Sequence, residues 1–97
     1  MKSKDNLLVS VIVPLFNYEK YISDCIVSIK NQDYTNYELI ICDDCSTDNS
    51  FKIAKKFESK KIKVMRLSKN SGYSVAKNEA IIASRGGLIT CLDADDM

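Results

Sequence analysis

The chain has 97 residues, 45% of them hydrophobic and 28% charged, with a formal net charge of +1; this suits one small domain or part of a larger one. A near-neutral charge gives no bulk pull toward nucleic acid or an anionic membrane, and the longest apolar runs, such as Val11 to Phe16, are far too short to span a bilayer. Histidine is absent, which excludes His-based acid–base chemistry and His metal ligands within these residues.

Residues 1–6 are charged and polar, with no apolar core ahead of a small-residue cleavage site. They read as a disordered lead-in and not as a secretory signal. Without such a signal the four cysteines, Cys25, Cys42, Cys45 and Cys91, are expected to be reduced, in the cytoplasm. Leu8 to Val13 is a β-branched run with almost no polar residue, as in a strand buried on both faces, and Pro14 is expected to end it, since proline cannot donate to a ladder. Tyr21, Ile22, Cys25, Ile26 and Ile29 recur at helical spacing. After a polar loop, Glu38 to Cys42 forms a second apolar strand.

Ser46 or Thr47 is placed to cap a second helix, with Asp48 and Asn49 in its first turn and Phe51, Ala54 and Phe57 on a narrow apolar face. Ile62 to Leu67 alternates as a third strand, with Ile62, Val64 and Arg66 on one side. Ser68 to Ser74 reads as a loop. Val75, Ala76, Ala80 and Ala83 then give a helix whose small residues suit close packing on a sheet, and Gly86-Gly87 is expected to end it. Leu88 to Leu92 is a fourth strand, followed by Asp93-Ala94-Asp95-Asp96.

The order β-α-β-α-β-α-β with short connections argues an α/β fold with a mostly parallel sheet. In such open sheets ligands sit beyond the carboxyl ends of the strands. Four segments converge on that edge: Pro14 to Asn17, Asp43 to Ser46, Ser68 to Tyr73, and Asp93 to Asp96. A doubly wound sheet normally continues past its fourth strand, so residues 7–97 read as the first half of a larger domain. The open edge of such a half invites pairing with a second copy, giving a homo-oligomer.

The rim carries Asp43, Asp44, Asp93, Asp95 and Asp96. A phosphorylated ligand cannot share so acidic an edge without a counter-charge, and a hard divalent cation supplies one. Alone, an acidic triplet is no more than a solvated chain end; a strand-tip position opposite Asp43 and Asp44 makes it a site. Either aspartate of that pair can serve a base N–H or ribose hydroxyls, and either can simply shape a turn. Cys42 and Cys45 have a Cys-x-x-Cys spacing, yet zinc needs two further ligands, and the intervening carboxylates disfavour a reactive thiolate. Cys42 is better read as a buried strand residue and Cys45 as a turn residue. Phe16 can stack on a base or cover the sheet end. Lys69 or Lys77, near Gly72, can meet a diphosphate; no G-x-G-x-x-G or Walker loop occurs. Lys52, Lys55, Lys56, Lys60, Lys61 and Lys63 read as a solvated face.

Taken together, "VSVIVPLFN", "YELIICDDCSTD", "NSGYSVAKN" and "ASRGGLITCLDADD" resemble, in order and spacing, the N-terminal half of the family 2 glycosyltransferases with the GT-A fold, a Rossmann-like α/β architecture. The resemblance spans Val9 to Asp96. It implies a nucleoside diphosphate sugar, often a UDP-sugar, bound with Mn²⁺ or Mg²⁺. By motif, Pro14 and Phe16 flank the base, Asp44 accepts from the base N–H, and Asp43 helps shape the turn. Asp93 lies near the ribose or the metal, and Asp95 is the metal ligand bridging to the diphosphate. Lys77 stands where the family often has arginine, which keeps the charge and loses the bidentate fork. Cys45 stands where glycine is common.

The implied reaction is glycosyl transfer to a saccharide or lipid acceptor, at the inner face of the membrane in the full-length protein. The general base and the acceptor site are expected beyond Met97, so these residues alone are expected to bind the donor without turning it over. Two rival readings remain from the residues themselves. One is a phosphoryl-transfer domain using an Asp-x-Asp pair, which expects that pair after an early strand. The other is a non-enzymatic thiol or metal module at Cys42 and Cys45.

Overall fold

Seven residues of unbroken β-type backbone, Val9–Leu15 (β1), form the middle of the sheet in a computed structural model that describes residues 7–92. The elements then follow as α1 (Ile22–Lys30), β2 (Tyr37–Asp43), α2 (Ser50–Lys55), β3 (Ile62–Arg66), α3 (Tyr73–Ala83) and β4 (Leu88–Cys91). All strand pairs are parallel, in the order β3-β2-β1-β4. The α/β order expected from the hydrophobic periodicity is therefore the order found.

The pleat sends alternate residues to opposite faces. Val11, Val13 and Leu15 of β1 and Leu39 and Ile41 of β2 pack with Ile22, Cys25, Ile26 and Ile29 of α1 and Ala54 of α2. On the other face Ile12, Ile40 and Cys42 pack with Ala76 and Ala80 of α3. The two alanines are fully buried; without long side chains there, α3 lies close on the sheet. Because both faces are covered, β1 and β2 read as continuous apolar runs and not as alternating ones.

Chain order runs outward from β1 to β2 and β3, then returns across the sheet through α3 to β4 on the other side of β1. The direction of winding thus reverses between β1 and β4, and the carboxyl ends of those strands flank a switch point, where open α/β sheets bind ligands.

Three local expectations are corrected. Pro14 does not end β1: it pairs in register with Cys42, and the strand runs on to Leu15. Ile12, two residues earlier and so pointing the same way, offers its carbonyl to Leu92 N–H at 2.9 Å. The donor that Pro14 lacks thus lies on the β4 side, past the last β1–β4 pair, Ile12 with Cys91. Second, α2 begins at Ser50 with Asn49 as its cap residue, because Ser46 and Thr47 are engaged with the neighbouring loop. Third, α3 ends at Ser84 in extended backbone, so Gly86 is not needed for a left-handed stop. It is needed for space: a Cβ there would lie 2.3 Å from Ser10 Oγ and 2.7 Å from the Leu8 carbonyl.

The lysines of the 52–63 stretch are all exposed, as a solvated face requires. Lys55 lies over the Phe51 ring and Lys61 over Tyr37. No helix among the described residues is long and apolar enough to cross a membrane.

Gly86→Ala should lower stability by about 1–3 kcal/mol, the usual cost of overpacking, in urea unfolding. Gly87→Ala should cost much less, because its added Cβ meets only the tip of the exposed Leu7 side chain. Equal losses would contradict the close approach.

Candidate functional site

The carboxyl edge is built by loops that hydrogen-bond to one another more than to themselves. Beyond β1 the chain turns at Asn17, whose φ of 52° lies in the left-handed region that asparagine tolerates better than most residues. That turn points the Asn17 side-chain oxygen at the next loop, where it accepts from Thr47 N–H at 2.9 Å and Asp48 N–H at 3.3 Å. The same loops are tied in return. Ser46 Oγ accepts from Asn17 N–H at 2.9 Å, Ser50 Oγ accepts from Tyr18 N–H at 2.8 Å, and Glu19 Oε1 accepts from Asn49 N–H at 2.8 Å. Asp48 accepts from Glu19 N–H and from Ser50 N–H. Burial alone would raise the Asp48 pKa, but bonds from Ser50 and from the Glu19 backbone outweigh it and hold the carboxyl below its ordinary value.

Asp43 and Asp44 have distinct tasks. Asp43 is fully buried. Its carboxylate accepts Ser46 N–H at 2.8 Å and the Ser46 hydroxyl at 2.5 Å, with Arg66 Nε at 3.5 Å. Arg66 also donates to the Ser46 carbonyl at 3.0 Å and lies over the Phe51 ring. Asp43 therefore shapes the turn. Asp44, anchored by its own N–H to the Leu15 carbonyl at 2.8 Å, reaches across to the third loop: its two oxygens accept Ser71 N–H at 2.7 Å and Gly72 N–H at 2.9 Å. Gly72, with φ 101° and ψ 159°, adopts a conformation open essentially to glycine alone, and from it α3 begins.

Of the residues singled out from sequence, Pro14, Phe16, Asp43 and Asp44 lie together at the tips of β1 and β2. Pro14 is buried under the rim, and Phe16 is 40% exposed on it. Lys77 is half-buried on α3, the helix that starts from the loop held by Asp44, and makes no ion pair among the described residues. Asp93, Asp95 and Asp96 lie outside the described residues. Among the described residues no cluster of three or more Cys, Asp or Glu side chains could hold a metal ion. A small polar pocket of about 190 Å³ is lined by Asn17, Tyr18, Glu19, Lys20, Tyr21 and Asp48, but both its carboxylates are engaged with backbone N–H groups of the loops.

Sequence reasoning missed Asn17, Ser46 and Arg66 as organisers of the rim. Asn17 carried a signal, an Asx residue just past a strand; Arg66 carried none beyond its place in an alternating strand. The turn role of Cys45 is found as expected: its φ is 58°, where a glycine is easier. Cys42 is buried, and burial first, then the charges of Glu79, Asp43 and Asp44, push its thiol to about 11. Burial likewise raises Cys25. All four cysteines are free, and the buried, weakly acidic Cys42 thiol is poorly suited to thiol chemistry.

Alkylation of the folded chain near neutral pH should therefore label Cys91 and Cys45 and spare Cys42 and Cys25. Rapid labelling of Cys42 would contradict its burial. A lowered Asp48 pKa stabilises the fold above the unfolded value of about 4 and ceases to do so as pH falls through the lower folded value. The stability gap between the parent chain and Asp48→Asn should thus be full at pH 7 and shrink on acidification below that range. A gap independent of pH would contradict the assignment.

Residues 10–97 match the family Glycosyl transferase family 2. The beta-1,3-glucosyltransferase WfgD of Escherichia coli, named for UDP-Glc and a GlcNAc-diphosphoundecaprenol, is 40% identical over 94 residues, 96% of this chain and 37% of its own length. The crystal structure of Staphylococcus aureus TarS 1–349 in complex with UDP-GlcNAc superposes with a TM-score of 0.86 at 36% identity, over 92% of this chain and 27% of that one. The mannosyltransferase PcManGT of Pyrobaculum calidifontis, in complex with GDP-Man and Mn²⁺, gives 0.80 at 27% identity, over 90% of this chain and 27% of that one. The chain thus spans about a third of the length of some curated relatives it matches and 16% or less of others, and its sheet is the α/β N-terminal half of the GT-A fold seen in TarS. On the family match and these relatives, the chain belongs to glycosyl transferase family 2.

Proposed function

We propose that residues 7–97 form the nucleotide-sugar-binding half of a glycosyltransferase whose donor is a UDP-sugar and whose acceptor, in the full-length protein, is a saccharide or lipid. The observation that carries this reading is the Asp44 carboxylate at the β2 tip, aimed by three backbone bonds and adjacent to the exposed Phe16 across the β1–β2 seam. Each carboxylate oxygen has a second lone pair beyond the one used by Ser71 or Gly72. Asp44 thus accepts the N–H of a uracil ring while Phe16 and the rim over Pro14 flank its faces. The complex of TarS with UDP-GlcNAc supports a uridine donor.

In this reading Asp43 serves the nucleotide through the turn it holds, and Lys77 faces the diphosphate as a single positive charge without the bidentate grip of arginine. The Mn²⁺ in PcManGT supports a divalent cation here too. Asp95 with Asp93 are assigned to hold Mn²⁺ or Mg²⁺: carboxylate oxygens are the hard donors these ions take, one or two per site beside phosphate oxygens. When bound, the ion offsets the charge of the departing diphosphate. No residue among 7–92 is assigned as general base. The phosphoryl-transfer and thiol-module readings are set aside, the first on the family match, the second on the buried, weakly acidic Cys42 thiol.

Calorimetric titration of this chain with UDP, with and without Mn²⁺, tests the reading. Binding should be tighter with Mn²⁺, and Asp95→Ala should remove that increment. Asp44→Ala should weaken UDP about ten- to a hundredfold in either condition, as expected for a lost charge-assisted hydrogen bond. Equal affinity with and without metal, or full affinity in both variants, would contradict it.

A further inference from the structure

We propose that Glu38, at the end of the sheet opposite the rim, is a positioning residue that sets where β4, the strand preceding the residues assigned to the metal, lies against β1. The functional part of this inference rests on the reading of Asp93 and Asp95 given above; the structural part does not.

Among the described residues β4 pairs with β1 alone, through Leu88 to Cys91, and its four residues are exposed. What fixes it is the connection from α3. Glu38 Oε2 accepts the Arg85 backbone N–H at 2.6 Å and the Ser10 hydroxyl at 2.6 Å. Ser10 Oγ in turn accepts Gly86 N–H at 2.8 Å, and the Leu8 carbonyl accepts Gly87 N–H at 3.0 Å. Three consecutive N–H groups of the connection are thereby tied to β1 and β2 just before β4 starts.

The chemistry argues for a register device. Ser10 is fully buried and Glu38 is 8% exposed, so this carboxylate gave up water for two specific donors. The Arg85 side chain adds little, since it is 78% exposed and its Nε is 3.9 Å from Glu38. Gly86 admits no side chain in its place: a Cβ would sit 2.3 Å from Ser10 Oγ. A slip that brought Arg85 into that place would drive its Cβ into Ser10 Oγ and turn every β4 side chain to the other face.

Amide hydrogen exchange on this chain tests the proposal, using Glu38→Leu, Ser10→Ala and Glu38→Gln. Glu38→Leu and Ser10→Ala should each speed exchange at Leu92 N–H, which bonds β1, by at least about tenfold. Exchange at Asp44 N–H, which bonds β1 from the β2 side, should hold. Glu38→Gln keeps an acceptor oxygen and should restore Leu92 protection. In a UDP titration, Glu38→Leu should lose the Mn²⁺-dependent increment and keep the affinity for UDP alone. Equal acceleration at Leu92 and Asp44, unchanged Leu92 protection, or no rescue by Gln would overturn the proposal. If the parent chain shows no Mn²⁺ increment, the functional reading fails, and the exchange data still decide whether Glu38 places β4.

Discussion

One buried carboxylate organises the rim. Asp43 has no exposed surface, and an ionised carboxylate taken from water costs several kcal/mol unless its oxygens are satisfied. Ser46 supplies an N–H and a hydroxyl, and Arg66 supplies the counter-charge from β3. Meeting that demand bends the chain straight after β2 and forces Cys45 into left-handed backbone. The bent turn presents Ser46 Oγ to Asn17 and leaves Asp44 free to face the third loop. Three loops from three strands are thereby fixed relative to each other by side chains whose own positions follow from Asp43.

This arrangement explains why adjacent aspartates differ in use. They point to opposite sides of the sheet, as consecutive strand residues do. The side facing α2 leads into the interior, toward Phe51 and Arg66; the other leads toward the start of α3. The first aspartate is consumed by the turn, and the second, 5% exposed, holds the third loop at the rim with one further lone pair on each oxygen. The same logic divides the cysteines. Cys42 belongs to the α3 face and packs with Ala76 and Ala80, whereas Cys45 occupies a backbone position. Their sequence spacing has no chemical meaning because the strand ends between them.

Much of the fold was legible in the sequence because burial on both faces leaves a simple mark. "LVSVIV" and "ELIIC" have almost no polar residues, and the alanines of α3 announce a helix lying close to a sheet. What misled was local reasoning applied where tertiary demands won. Pro14 looks like a strand end, yet its missing donor faces the side where pairing with β4 has already stopped. Ser46 and Thr47 look like caps for α2, yet Asp43 and Asn17 claim them. Gly86 looks like a helix stop, yet it marks a backbone crossing over Ser10. Asp44 was legible as a rim carboxylate; its grip on Ser71 and Gly72 was not, because it joins loops 27 and 28 residues apart. Asp93 and Asp95 rest on the motif alone and lie outside the described residues.

The proposed site has a nucleotide against Asp44 and Phe16 at the switch point. Amide NMR of the labelled chain during addition of UDP and diamagnetic Mg²⁺ tests it most directly. The largest shifts should fall on the backbone N–H groups of Phe16, Asp44, Ser71 and Gly72, with β3 and the lysine face unmoved. Shifts centred on the polar pocket around Tyr18, Lys20 and Tyr21, with Ser71 and Gly72 unmoved, would contradict it.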